Sequence, residues 1–143
     1  MNGTIVQDGL VQEGATDGRV AAYAERLAVH YSSARQDWRT PRALFDVLDA
    51  EFRFTTDAAA SGENALCAHF FDAERDALRQ DWIGRRAYCN PPYKLAAEFL
   101  RKAAEENARG VTTVLLIPAR TDTSYWWKHA LQAAEIRFLP GRL

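Results

Sequence analysis

The chain has 143 residues, 48% hydrophobic and 26% charged, a balance typical of one globular domain with one core. No apolar run is long enough to cross a bilayer, and the first residues lack the basic and apolar regions of a signal peptide. We therefore predict a cytoplasmic protein. Cys67 and Cys89 and the three histidines have no metal-ligand spacing, so we predict no metal site and two buried free thiols.

The charges are divided unevenly along the chain. Residues 1–81 carry 8 Lys/Arg and 14 Asp/Glu, a net of −6, and residues 82–143 carry 10 and 5, a net of +5. This asymmetry is what a protein that meets a polyanion on one side would need. The alternative is a chance division of solvated surface charge.

The N-terminal third has two parts. Residues 1–19 are polar and rich in glycine without a period, so we predict a disordered lead-in. Residues 20–31 carry apolar side chains at helical spacing and predict a short amphipathic helix. Together, residues 1–35 are predicted to be an N-terminal extension and residues 36–143 the functional domain.

The domain is predicted to open with a helix. Thr40 is a suitable N-cap and Pro41 fits the first helical position. An apolar stripe follows, and then "FRFTTD" (52–57) alternates as a strand that ends at Asp57. "AHFF" is a second, short strand, and "RAYC" is the strand that leads into Asn90.

The remaining elements alternate between helix and strand. Residues 95–108 predict the clearest helix, and "VTTVLLI" (111–117) predicts a strand buried on both faces. "DTSYWWKHALQAA" predicts a helix whose inner face includes Trp127, which leaves Trp126 partly exposed. "EIRFL" is the last strand.

This alternation predicts an α/β layered domain with a mostly parallel sheet. In such sheets ligands bind beyond the carboxyl ends of the strands. Asp57, Asn90 and Pro118 all fall at such ends, so we predict that they border one shared site.

The sequence Asn90-Pro91-Pro92-Tyr93 has a specific chemistry. Prolines fix φ and cannot donate, which leaves nearby backbone carbonyls to accept, and the asparagine side chain adds another acceptor. Two acceptors aimed at one –NH₂ would hold both of its hydrogens, and Tyr93 offers a face on which a planar ring can stack. The set therefore predicts a clamp for an aromatic amine or an amide.

Several blocks in order resemble the phage-type DNA N-6-adenine methyltransferases, which use S-adenosylmethionine. They are "DWRTPRALFDVLDAEFRFTTDAAASGENALC", "DALRQDW", "NPPY", "LLIPARTDTSYWW" and "IRFLPGRL". The resemblance covers about residues 36–143 and implies a Rossmann-like methyltransferase sheet with helices on both faces. "NPPY" alone is less specific, because protein-glutamine and RNA methyltransferases also use it; the five blocks together are more specific.

The resemblance also implies roles for individual residues. The clamp, Asn90, Pro91, Pro92 and Tyr93, would hold an adenine flipped out of duplex DNA. The residues expected to bind S-adenosyl-L-methionine are Thr40, Pro41, Asp57, Ala58, Asp76 and Asn90. The residues expected to contact DNA are Lys94, Arg120, Trp126 and Arg142.

Other interpretations stay open at this point. Asp57 could simply cap a turn, and Thr40-Pro41 is a sound helix start without any function. The family pattern continues beyond "GRL", so we expect a domain that is C-terminally incomplete and lacks the final strand or strands. The alternatives to a DNA adenine methyltransferase are a protein-glutamine or RNA methyltransferase and a truncated, non-catalytic prophage remnant.

Overall fold

The computed structural model describes residues 3–8, as backbone only, and residues 39–140. Six strands form one sheet in the order β3-β2-β4-β5-β1-β6, and each pairing between neighbours is parallel. The strands are β1 (Gly3–Asp8), β2 (Thr56–Asp57), β3 (His69–Phe70), β4 (Arg86–Cys89), β5 (Thr112–Pro118) and β6 (Glu135–Leu139).

Helices cover both faces of this sheet. They are α1 (Arg42–Phe52), α2 (Ala96–Ala108) and the short α3 (Ser124–Lys128), with single 3₁₀ turns at Tyr93–Leu95 and Ala130–Gln132. The predicted parallel α/β architecture with helices on both faces is therefore confirmed. Within residues 3–8 and 39–140, no helix has the length and apolar character needed to cross a membrane.

The central strands are buried on both faces because successive side chains point to opposite sides. Tyr88 and Val114 pack on one side with the apolar stripe of α1. Cys89 and Leu115 pack on the other side with α2 and α3. The continuous apolar run of β5 follows from this double burial, as its sequence predicts.

The first strand differs from the sequence prediction. We expected residues 1–19 to be a disordered lead-in, but Gly3–Asp8 lies between β5 and β6 and pairs with both. For these six residues the prediction is wrong, because Thr4, Ile5 and Val6 are β-branched residues that favour a strand, and the backbone of the segment pairs with a strand on each side. The helix predicted at 20–31 lies outside the described residues, and the domain boundary after residue 35 stays a prediction.

The segment 52–57 is mostly not a strand. Helix α1 continues to Phe52, Arg53 ends it in the left-handed conformation with φ 53°, and only the last two residues join the sheet as β2. The N–H of Phe54 donates to the carboxylate of Asp49 at 2.7 Å, which stabilises this exit from the helix. The predicted strands β3, β4, β5 and β6 are confirmed, with β5 displaced by one residue.

The tryptophan pair is placed opposite to the prediction. The continuous helix expected over "DTSYWWKHALQAA" is interrupted after α3, and Trp126 is buried at 3% exposure whereas Trp127 is 63% exposed. Only five residues of this segment are α-helical, so a helical period taken over the whole segment predicts the wrong inward-facing ring. The predicted exposure of Trp126 is therefore wrong.

Candidate functional site

Two neighbouring strands bring the predicted site residues together. In the register of β2 and β4, Asp57 lies opposite Tyr88, and Asn90 follows immediately after β4. Because the strands are parallel, both ends reach the same edge of the sheet. Pro118 ends β5, which pairs with β4, so Asp57, Asn90 and Pro118 all lie at strand ends of this edge; that they border one functional site stays a prediction.

Asp57 is buried, with 3% of the residue exposed, and its carboxylate organises the loop that follows β2. One oxygen accepts the N–H of Ala59 at 3.3 Å and the other accepts the N–H of Leu66 at 3.1 Å. Burial raises the pKa of Asp57 above its ordinary value, and these two hydrogen bonds oppose the rise. The site therefore holds a desolvated acid at the floor of a loop made of small residues.

A cleft opens between this loop and the end of β4. It encloses about 330 Å³ of atom-free space, counting its open mouth. The residues that line it come from the chain before α1, from the β2 loop and from β4: Arg39, Thr40, Asp57, Ala59, Asn64, Leu66, Tyr88 and Asn90. The cleft joins the predicted cofactor residues Thr40 and Asp57 to the predicted clamp residue Asn90.

Thr40 has a different role in the structure from the one its sequence suggested. The residue at the helix cap is Pro41, and no side chain caps α1. The hydroxyl oxygen of Thr40 instead lies 2.6 Å from the Tyr88 hydroxyl and accepts a hydrogen bond from Asn90 Nδ2 at 3.1 Å. The expected N-cap is therefore wrong, and the side chain is turned into the cleft.

The segment after β4 leaves the sheet as the prolines require. Asn90 is half-buried, Pro91 is buried, and Pro92 begins a 3₁₀ turn in which its carbonyl accepts the N–H of Leu95 at 2.8 Å. Tyr93 is 54% exposed and the adjacent Lys94 is exposed. The segment thus presents an aromatic ring and a cation beside the cleft.

A second group of side chains follows β5 at the same edge of the sheet. Arg120 is exposed and lies 3.7 Å from Asp122. The indole N–H of Trp127 donates to the backbone oxygen of Thr121 at 2.9 Å, which fixes an exposed ring on the "PART" turn. Trp127 was missed as a surface candidate, and the buried Trp126 that we expected to contact DNA packs near Phe138 instead.

The structure does not bring all the predicted residues to the cleft. Asp76 lies in the loop between β3 and β4, where its carboxylate accepts the N–H of Leu78 at 3.2 Å and pairs with Arg79 at 3.3 Å. Pro41 and Ala58 flank the cleft in sequence without lining it. Arg142 lies outside the described residues.

Sequence reasoning also missed several residues that line the cleft. They are Arg39, Ala59, Asn64, Leu66 and Tyr88. Tyr88 has no local signal of this role, because its place in an apolar strand predicts only burial. Its proximity to Thr40 depends on how α1 packs against β4.

The two cysteines do not supply reactive groups to the site. Burial and the negative charge of Asp57 raise the pKa of the Cys67 thiol to about 12, and burial raises that of Cys89 well above its ordinary value. Both thiols are therefore protonated near neutral pH. Within residues 3–8 and 39–140, no cluster of His, Cys, Asp or Glu has the arrangement of a metal site.

A parallel α/β sheet with a buried acid and an asparagine at adjacent strand ends defines a class of small-ligand-binding domains. The sequence model of one family, DNA N-6-adenine-methyltransferase (Dam), matches residues 29–143. The chain belongs to this family.

Two curated relatives carry the same family name. The DNA N-6-adenine-methyltransferase of Escherichia phage T1 is 31% identical over 113 residues, which are 78% of this chain and 48% of that protein. The DNA N-6-adenine-methyltransferase of Haemophilus phage HP1 is 26% identical over 100 residues, 68% of this chain and 58% of that protein. The chain thus spans about half the length of these relatives. No solved structure matches it.

Proposed function

We propose that this chain transfers a methyl group from S-adenosyl-L-methionine to N6 of adenine in DNA, on a Rossmann-like methyltransferase sheet. The observation that carries the proposal is the position of Asn90, directly after β4 and beside the buried Asp57 of β2. Membership of the family and the order of the motifs point to the same chemistry.

The residues that line the cleft between the β2 loop and β4 suit the chemistry of such a cofactor. Bound S-adenosyl-L-methionine supplies a methyl group on a positively charged sulfur. Asp57 provides a buried negative charge at the floor of the cleft, and Ala59 keeps the wall small. Thr40 and Asn64 add polar atoms at its rim, so the lining residues suit a cationic ligand with polar ends.

The segment after β4 would hold the target amine. The Pro92 carbonyl already accepts from Leu95, so the acceptors we assign to the adenine amino group are Asn90 Oδ1 and the Pro91 carbonyl. Holding both hydrogens leaves the nitrogen lone pair directed at the methyl carbon. Methyl transfer would form the nitrogen–carbon bond while the carbon–sulfur bond breaks with its electrons on sulfur, and the nitrogen would give one proton to solvent. The acceptors stabilise the nitrogen while it is positively charged.

The exposed side chains at this edge suit a nucleic acid. Tyr93 offers a ring on which the flipped adenine can stack, and Trp127 offers a second ring fixed by its bond to Thr121. Lys94 and Arg120 are exposed cations that can reach phosphates. We therefore assign the DNA-facing role to Trp127 in place of Trp126.

The proposal is tested by incubating the folded 143-residue chain with labelled S-adenosyl-L-methionine and unmethylated duplex DNA, followed by nucleoside analysis. We expect N6-methyladenine to form with the wild type and not with Asn90→Ala. If RNA or protein glutamine were labelled and DNA were not, the substrate would be RNA or protein and our assignment of DNA would be wrong. A folded chain that labels none of these and binds no cofactor would be a non-catalytic remnant.

A further inference from the structure

The side chain of Thr40 meets those of Tyr88 and Asn90, 48 and 50 positions further along the sequence, in one hydrogen-bonded chain. Thr40 Oγ1 accepts from Asn90 Nδ2 at 3.1 Å and lies 2.6 Å from the hydroxyl oxygen of Tyr88. Tyr88 is fully buried, with its ring 5.2 Å from Phe45 in an edge-on contact and 5.4 Å from Phe54. The hydroxyl of Tyr88 is therefore held firmly under Thr40.

We propose that Thr40 and Tyr88 are positioning residues that fix the orientation of the Asn90 amide. This inference rests on the function proposed above and adds to it two residues that act through Asn90. The contact between the two hydroxyls allows either one to donate; in the arrangement we propose, Thr40 donates to the Tyr88 oxygen, so that only lone pairs of Thr40 face Asn90. A lone pair accepts a hydrogen bond from an N–H group, whereas a carbonyl oxygen has no hydrogen to donate. Asn90 therefore turns Nδ2, and not Oδ1, toward Thr40.

The orientation matters because the two ends of an asparagine amide have nearly the same shape and opposite hydrogen-bonding roles. Oδ1 and Nδ2 diverge from one carbon, so fixing the direction of Nδ2 also fixes the direction of Oδ1. With Nδ2 on Thr40, the end directed elsewhere is an acceptor, as an adenine amino group requires. A reversed Asn90 would present N–H groups to another N–H group, and the clamp would not form.

Tyr88→Phe is the most direct variant, since it removes one oxygen and keeps the packed ring. The released Thr40 proton could then donate to Asn90 Oδ1, which permits the reversed amide. We expect kcat at saturating cofactor to fall about three- to tenfold, the factor that one neutral hydrogen bond is worth. Thr40→Val should reduce kcat by about tenfold or more, because Asn90 loses its acceptor altogether.

Matched controls separate positioning from a structural role. Thr40→Ser keeps the hydroxyl and should restore kcat to within about twofold of the wild type, less than the effect of one hydrogen bond. Tyr125→Phe removes the hydroxyl of a half-buried tyrosine that packs in the other core cluster, and it should leave kcat unchanged. Because Tyr88 also lines the cleft, calorimetry measures the Kd of S-adenosyl-L-methionine for Tyr88→Phe, and the fall in kcat should persist at saturating cofactor.

The orientation of Asn90 can also be observed without turnover. In ¹⁵N-labelled protein, with Asn90→Ala identifying the resonance, Tyr88→Phe and Thr40→Val should both shift the Asn90 side-chain amide signals, whereas Tyr125→Phe should not. The inference would be overturned if the Asn90 signals did not shift in Thr40→Val, or if Tyr88→Phe had the same kcat as an active wild type. It would also be overturned if a weaker Kd for the cofactor explained the whole loss of kcat. If the wild type makes no N6-methyladenine, the proposed function fails and the amide signals alone decide the positioning role.

Discussion

The carboxylate of Asp57 accepts a hydrogen bond at 3.1 Å from the backbone N–H of Leu66, nine residues further along the chain. This contact closes the loop after β2 over the buried acid and forms one wall of the cleft. The same carboxylate is thus both the anchor of the loop and the negative charge that a cationic cofactor would meet. Its burial also predicts how the stability of the protein depends on pH.

Asp57→Asn should remove a contribution to stability that increases as pH falls. Burial raises the pKa of Asp57 above its ordinary 3.8. The pKa of Asp57 is then higher in the folded than in the unfolded state. The stabilising contribution of Asp57 is therefore fully present at a pH below the pKa of the unfolded state, and it is lost as pH rises through the pKa of the folded state. The wild type should gain stability relative to Asp57→Asn as pH falls from about 7 toward about 4. Urea unfolding across this pH range measures the difference in stability between the two proteins. A difference that grows as pH rises would refute the effect of burial on Asp57.

Asn90→Ala should abolish methyl transfer and leave cofactor binding largely intact. The side chain supplies an acceptor to the substrate amine, and loss of one such group costs about 10²-fold or more in kcat. Single-turnover methylation and calorimetry with S-adenosyl-L-methionine measure the two properties separately. An Asn90→Ala protein with full activity would show that the clamp is wrong.

The two tryptophans should respond to alanine substitution in opposite ways. Trp127→Ala removes an exposed ring and should weaken DNA binding by about 1–3 kcal/mol, with little change in stability. Trp126→Ala empties a buried site and should lower the free energy of unfolding by about 3–5 kcal/mol. DNA titration by fluorescence anisotropy and urea unfolding measure the pair. If Trp127→Ala binds DNA as tightly as the wild type, this surface does not contact DNA.

Helix α2 carries two ion pairs of the same spacing and different burial. Lys102 lies 2.5 Å from Glu106, and their side chains are 11% and 1% exposed, whereas Arg101 and Glu105 are 54% and 53% exposed. Lys102→Met leaves a buried carboxylate without its lysine and should cost about 3 kcal/mol of stability. Arg101→Met should cost about 1 kcal/mol or less.

Urea unfolding of the two methionine variants compares these costs on one helix. Glu106 also accepts the N–H of Trp82 at 3.3 Å and lies 3.3 Å from Arg109. Arg109 therefore softens the effect of Lys102→Met without removing it. Equal losses in both variants would mean that burial does not govern the strength of these pairs.

The spacing of apolar residues along the sequence predicted the elements that pack on the sheet over their whole length. The continuous apolar run of β5 and the long apolar stripe of α2 predict a buried strand and a helix packed on the sheet, and the structure has both. Periodicity failed in the segment around Trp126 and Trp127, where α3 has only five residues. In so short a helix, a shift of one residue in the predicted inner face exchanges the buried and the exposed tryptophan.

The sequence by itself determined the parallel α/β class, the strand ends at Asp57 and Asn90, and the chemistry that an Asn-Pro-Pro-Tyr segment can offer. These follow from local properties: side-chain period, the missing N–H of proline and the functional groups of each residue. Only the tertiary structure decided that Gly3–Asp8 joins the sheet, that Thr40 turns away from its helix, and that Tyr88 stands beneath it. Such contacts join residues 48 or 50 positions apart, and they depend on how α1 packs against β4, which no local pattern encodes.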